Sequence, residues 1–110
     1  MQFRGVFMLA ILALLGVLSG GSAAEEARFI SNPRQLIYEG KRSGEGYFSK
    51  DGKMLIFQSE REEENPFYQI YLRDLETGEV RRVSSGVGKT TCGFLRPDGM
   101  EAIFAFHRWL

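Results

Sequence analysis

The sequence predicts an all-β chain: an antiparallel four-stranded meander, then half of a second unit of the same kind, preceded by an apolar leader helix. Three observations predict it. Short runs rich in aromatic and β-branched residues recur, and no stretch of the chain after the leader repeats its apolar positions at helical spacing. Turn residues separate those runs: Asp51-Gly52, Glu76-Thr77-Gly78 and Asp98-Gly99. A twelve-residue stretch also recurs without gaps, Gly46 answering to Gly93 and Phe57 to Phe104, an offset of 47 residues.

The leader comes first. Arg4 supplies a positive start, Val6 to Leu18 carries no polar side chain, and Ser19 to Ala24 are all small. That pattern reads as a signal peptide over residues 1–24, cut after Ala24, and places the mature chain in the periplasm or outside the cell. The apolar run is too short for the roughly 20 residues that span a bilayer, so no membrane attachment is expected after the cut. No cysteine follows the run to carry a lipid.

Residues 25–42 form an N-terminal segment with one expected strand, Gln35 to Tyr38, after Asn32-Pro33. Residues 43–86 form the first unit. Its strands are Gly46–Ser49, Lys53–Ser59, Tyr68–Asp74 and Glu79–Ser84. In the third, Tyr68, Ile70 and Leu72 alternate with Gln69, Tyr71 and Arg73. Residues 87–110 form the first half of a second unit, with strands at Cys92–Leu95 and Glu101–Phe106. The turn positions are Asp51, Gly52, Gly78, Asp98 and Gly99. An Asp-Gly pair tolerates the positive φ angles of a tight type I′ hairpin turn. A period of 40 to 50 residues with four short strands per unit is the pattern of β-propeller blades.

Those residues carry a family resemblance. Phe48-Ser49-Lys50-Asp51-Gly52-Lys53 resembles the F-S-P-D-G-K signature of the WD40-like repeats in TolB-type propellers, with Lys50 in place of the usual Pro. Tyr68 to Glu79 is similar to the third strand and following turn of such a blade. Arg96-Pro97-Asp98-Gly99 repeats the signature, and Gly88 to Cys92 is similar to segments of exported TolB-like proteins. The resemblance covers Ser43 to Phe106. It implies a periplasmic propeller of several blades that works as a non-catalytic protein-interaction scaffold in the cell envelope. It assigns no ligand residue, because the blade motif holds structural positions. An alternative is the N-terminal propeller piece of an exported prolyl-oligopeptidase-like or other hydrolase. A closed propeller needs about four or more blades. A single blade and a half is therefore expected to be a truncated fragment, and further blades or self-association are expected to cover its faces.

Composition and motifs offer little chemistry. Fourteen basic and fourteen acidic residues cancel, which leaves no electrostatic footprint for nucleic acid. Gly86-Val87-Gly88-Lys89-Thr90 looks like a phosphate loop, but the required first glycine falls at Val83 and a strand follows rather than a helix. Glu60-Arg61-Glu62-Glu63-Glu64-Asn65-Pro66 lacks the Asp/Asn/Gly spacing of a calcium loop and reads as a solvated connection. His107 is the single histidine, and Ser49, Ser59, Ser84 and Ser85 sit in no Gly-x-Ser-x-Gly context. Cys92 is the single cysteine and is expected to be buried on a strand, with no nearby cation to lower its pKa. Trp109 and the tip at Phe67-Tyr68 are candidate contact aromatics. No catalytic residue, cofactor site or metal site is expected, and the partners are expected to be proteins.

Overall fold

The computed structural model describes residues 25–108. The leader, its cleavage position at Ala24, and Trp109 lie outside the described residues. The chain divides into two units between Leu36 and Ile37. In the described part of the first, the Phe29 N–H donates to the Glu26 carbonyl at 2.9 Å and the Ile30 N–H to the same oxygen at 3.0 Å. These two bonds close one turn. The strand expected at Gln35 to Tyr38 is absent, because that segment enters no ladder.

The second unit is all-β. Its strands are β1 (Ser43–Phe48), β2 (Met54–Ser59), β3 (Gln69–Asp74), β4 (Val80–Arg82), β5 (Lys89–Leu95) and β6 (Ala102–His107). The first four form one antiparallel sheet in chain order, and β5 and β6 form a separate hairpin. The meander read from the hairpin chemistry is therefore present. Observed strands differ from the expected ones mainly at their ends, and β5 starts three residues earlier, at Lys89.

The two sheets share one core. Ile56, Ile70 and Leu72 are buried at its centre, with Met54, Val83, Leu95, Ala102 and Phe104 packed around them. β2 and β3 are buried on both faces, since Leu55, Phe57 and Tyr71 on the opposite side are also inaccessible. That explains why Met54-Leu55-Ile56-Phe57 is an unbroken apolar run rather than an alternating one. The Arg61 guanidinium lies over the second face, 4.9 Å from the centre of the Tyr71 ring and 5.3 Å from that of Phe57. Contact of that kind keeps a cation at an apolar surface at modest cost.

Hairpin β1–β2 and hairpin β5–β6 are built to the same plan. In the first, Gly44 faces Gln58 and Tyr47 faces Ile56, with a bulge between them. In the second, Thr91 faces Ala105 and Phe94 faces Ile103, again with a bulge between them. Each position in the second hairpin is its counterpart in the first moved by the same 47 residues. The bulges match in conformation: Glu45 and Cys92, equivalent by that offset, both take positive φ, 46° and 56°. Glycine facilitates such backbone, and two non-glycine residues holding it at one repeat position mark the bulge as part of the design.

The turns match as well. Ser49 N–H donates to the Met54 carbonyl at 2.9 Å and Arg96 N–H to the Glu101 carbonyl at 2.8 Å. They are not the two-residue type I′ turns expected from the Asp-Gly pairs. Positive φ falls on Gly52 and Gly99 alone, at 72° and 74°, and not on the aspartates before them. The aspartate carboxylates supply the reason. Asp51 Oδ1 accepts the Lys53 N–H at 3.1 Å and Asp98 Oδ1 the Met100 N–H at 3.0 Å. That bond two residues ahead selects a longer loop around an Asx turn.

Candidate interaction surface

The connection between β4 and β5 is held by amides rather than charges. Asn65 Nδ2 donates to the carbonyls of Gly86 at 2.7 Å and Gly88 at 2.9 Å. Gln69 Nε2 donates to the Gly88 carbonyl at 2.8 Å, while its Oε1 accepts from Ser84 Oγ at 2.8 Å and from the Gly86 N–H at 3.1 Å. Buried polar groups satisfied in this way specify one arrangement of the chain. The glycine-rich loop therefore turns its carbonyls toward Asn65 and Gln69, and Lys89-Thr90 opens strand β5. A strand follows the loop, as the sequence reading expected.

The acidic run is a solvated connection only in part: Glu63 and Glu64 are exposed, but its first residues are held by partners. Glu60 is buried and takes a two-pronged contact from Arg42, Nε to Oε2 at 2.9 Å and Nη2 to Oε1 at 2.7 Å. Glu62 Oε1 accepts the Tyr71 hydroxyl proton at 2.8 Å and pairs with Arg82 at 2.9 Å. Arg42 holds the Glu60 carboxyl below the usual range, and the Tyr71 hydrogen bond does the same for Glu62, opposed by partial desolvation. Burial, reinforced by Glu62, pushes the Tyr71 hydroxyl up to about 12. These side chains fasten the loop to the segment before β1 and to β3 and β4. Charge patterning alone could not show this, because the partners lie elsewhere in the chain.

The remaining candidates are structural or unassembled. Ser49 Oγ donates to Asp51 Oδ1 at 2.6 Å and accepts the Met54 N–H at 2.9 Å, which places it inside the turn. Ser59 Oγ is 2.8 Å from Ser43 Oγ, and Ser84 Oγ accepts the Ile70 N–H at 3.0 Å. Ser85 Oγ accepts the Val87 N–H at 3.4 Å. His107 ends β6 opposite Lys89. Cys92 is exposed, not buried. The cause is its bulge: left-handed backbone turns its side chain out of the strand alternation. Among the described residues no group of three or more His, Cys, Asp or Glu could hold a metal ion. No helix among them is long and apolar enough to cross a membrane.

What stands out is an apolar face. Partners across an antiparallel ladder share a face, so Phe94, Ile103, Thr91 and Ala105 lie together on one side of β5–β6. Gly93, Leu95, Ala102 and Phe104 lie on the other side, against the core. On the outer side Ile103 is 73% exposed, whereas Ile56, its counterpart in the first hairpin, is 0% exposed. The difference lies in coverage. Ile56 is capped by β5: a Cβ on Gly93 would stand 3.2 Å from Ile56 Cδ1 and 3.1 Å from Ile70 Cγ2. Among the described residues nothing caps Ile103 in that way. Phe106 and Met100 add exposed apolar area at the two ends of the same hairpin.

No protein-family model, curated protein or solved structure matches this chain.

Proposed function

We propose that the chain is an exported, TolB-like propeller-repeat protein that acts as a non-catalytic protein-interaction scaffold in the cell envelope. One observation carries the reading. Two hairpins of the same plan stack face to face, and the second leaves open the face that the first has covered. A repeat whose units bury their faces only against neighbours is the physical logic of stacked-sheet architectures. The open apolar face supports a surface for recognition rather than for catalysis. The leader read from residues 1–24 supports export, and the exposed, apolar Ile103 face supports contact with protein.

The test is location and contact in the same cell. The full chain is expressed in a Gram-negative bacterium with a photo-crosslinking residue at Ile103 or, separately, at Lys50 on the first turn. Processing to a mature start at Glu25, recovery in the periplasmic fraction, and discrete protein adducts at Ile103 are expected. An unprocessed cytoplasmic chain, or a periplasmic one with no adducts at either position, overturns the reading.

A further inference from the structure

Among the described residues four strands have an outer edge, and three of them are protected or attached. β4 is three residues long and carries Arg81 and Arg82, and β1 is interrupted by the bulge at Glu45. Short, charged and bulged strands are the devices that keep an edge from accepting another chain. β5 is tied on its outer side to the first sheet, where Thr90 N–H donates to the Tyr68 carbonyl at 2.8 Å and Cys92 N–H to Gln58 Oε1 at 3.3 Å. β6 has none of these. It runs Ala102-Ile103-Phe104-Ala105-Phe106-His107, six residues without Gly, Pro, Lys, Arg, Asp or Glu. Among the described residues only β5 pairs with it.

The repeat states what such an edge takes. β6 corresponds to β2, and β2 carries β3 along its outer edge, antiparallel, with Leu55 opposite Arg73, Ile56 opposite Leu72, Phe57 opposite Tyr71 and Gln58 opposite Ile70. Moved by the repeat offset, the same register sets an aliphatic residue opposite Ile103, an aromatic one opposite Phe104 and a second aliphatic one opposite Ala105. The added strand would cover the exposed Ile103 face with its two aliphatic side chains, as Leu72 and Ile70 help to cover Ile56. A second folded copy of this chain cannot donate its own β3, because that strand is already paired on both sides, with β2 and β4.

We propose that the outer edge of β6 is a strand-acceptor site that takes an extended segment of another polypeptide, antiparallel, with the aliphatic and aromatic alternation of Gln69–Asp74. Main-chain hydrogen bonds supply the affinity and the alternating side chains the selectivity, the mode of recognition known as β-strand addition. The inference rests on the scaffold reading and names its site and partner class.

The probe is a capped synthetic peptide with the sequence of Tyr68 to Leu75, added to the full-length chain, with backbone amide exchange followed by NMR. Peptide binding is expected to slow alternate amides of Ala102–His107 by roughly tenfold or more. The same peptide with Pro in place of Tyr71, the residue opposite Phe57 in the β2–β3 ladder, is expected to protect none, since proline there removes a donor to the acceptor strand, whereas the Ile70 N–H points the other way, to Ser84 Oγ. Ala105→Lys, a charge on an exposed position of the acceptor strand, is expected to abolish the protection without changing the amides of β2 and β3. Three outcomes overturn the proposal: no slowing at millimolar peptide, protection that survives Ala105→Lys, or a chain that sediments as a dimer with the β6 amides already protected before peptide is added. The photo-adducts of the preceding test separate the two readings. Adducts without peptide protection remove the strand-acceptor site and leave the scaffold, whereas loss of export and adducts removes the scaffold itself.

Discussion

The rings of Tyr47 and Phe94 lie 4.4 Å apart at an interplanar angle of 37°, and the two residues hold the same place in successive copies of one hairpin. The contact therefore joins the repeat to itself. Both rings remain partly exposed, so their area burial is modest and much of their contribution is geometric. Aromatic pairs of this kind contribute about 0.5–1.5 kcal/mol beyond area. A double-mutant cycle on Tyr47→Ala and Phe94→Ala, read by urea unfolding, is expected to give a coupling energy in that range. Additive losses would show that the pair does not hold the two hairpins together.

Gly46 and Gly93 are also equivalent, yet they are not expected to tolerate alanine equally. At Gly46 the closest atom to an added Cβ is Leu55 Cδ1 at 3.3 Å, the free end of a side chain. At Gly93 an added Cβ meets Ile70 Cγ2 at 3.1 Å and two atoms of Ile56 at 3.2 and 3.3 Å, both residues being fully buried. Overpacking a closed core costs about 1–3 kcal/mol. Gly93→Ala is expected to fall in that range and Gly46→Ala below about 1 kcal/mol, compared by their urea midpoints. Equal losses would mean that β5 does not press on Ile56 as described.

Much of this was legible in the sequence, for identifiable reasons. Asp51-Gly52 and Asp98-Gly99 mark turns because few other pairs combine an Asx acceptor with a residue free to take positive φ, and their spacing exposed the repeat. Tyr68 to Asp74 could be read as a strand because its residue types favour one. Both of its faces proved buried, however, which alternation alone does not show. The bulges at Glu45 and Cys92 were not legible, because neither residue type asks for left-handed backbone. Cys92 was accordingly expected to be buried when it is exposed. Gln69 alternates with Tyr68 and Ile70 in the sequence and is a fully buried clamp, since its partners Ser84, Gly86 and Gly88 are brought to it by the β3–β4 turn and the loop that follows. The openness of the Ile103 face was not legible: Ile56 and Ile103 are identical residues at one repeat position, and only the fold says which of them is covered.

Tyr71 makes stability depend on alkaline pH. Its hydroxyl is buried beside Glu62 and keeps its proton to about 12 in the folded chain. In the unfolded chain it ionises near the ordinary value of about 10. Between those values the folded state binds more protons than the unfolded one, so stability falls as pH rises. The contribution is fully present below about pH 10 and amounts to roughly 2 kcal/mol lost by pH 12. Unfolding curves from pH 9 to 12 are expected to show this decline in the native chain. Tyr71→Phe is expected to remove the Tyr71 share of it. An unchanged slope in the variant would show that the Tyr71 hydroxyl is not held protonated by its site.

The two bulges give the most direct check on the repeat. Glu45 and Cys92 sit at φ 46° and 56°, where a side chain costs about 1–2 kcal/mol against the right-handed region. Glycine would relieve that cost but loses about 0.5–1 kcal/mol through the greater freedom of the unfolded chain. The balance predicts that Glu45→Gly and Cys92→Gly each leave stability unchanged or raise it by up to about 1 kcal/mol. Valine at the same positions, β-branched and ill-suited to positive φ, is expected to destabilise by about 1 kcal/mol or more. Thermal melts of the four variants are expected to fall into two matched pairs, glycine with glycine and valine with valine. A pair that splits, with one bulge relieved by glycine and the other harmed, would mean that the two hairpins do not share a backbone plan, and the β6 edge could then no longer be read from β2.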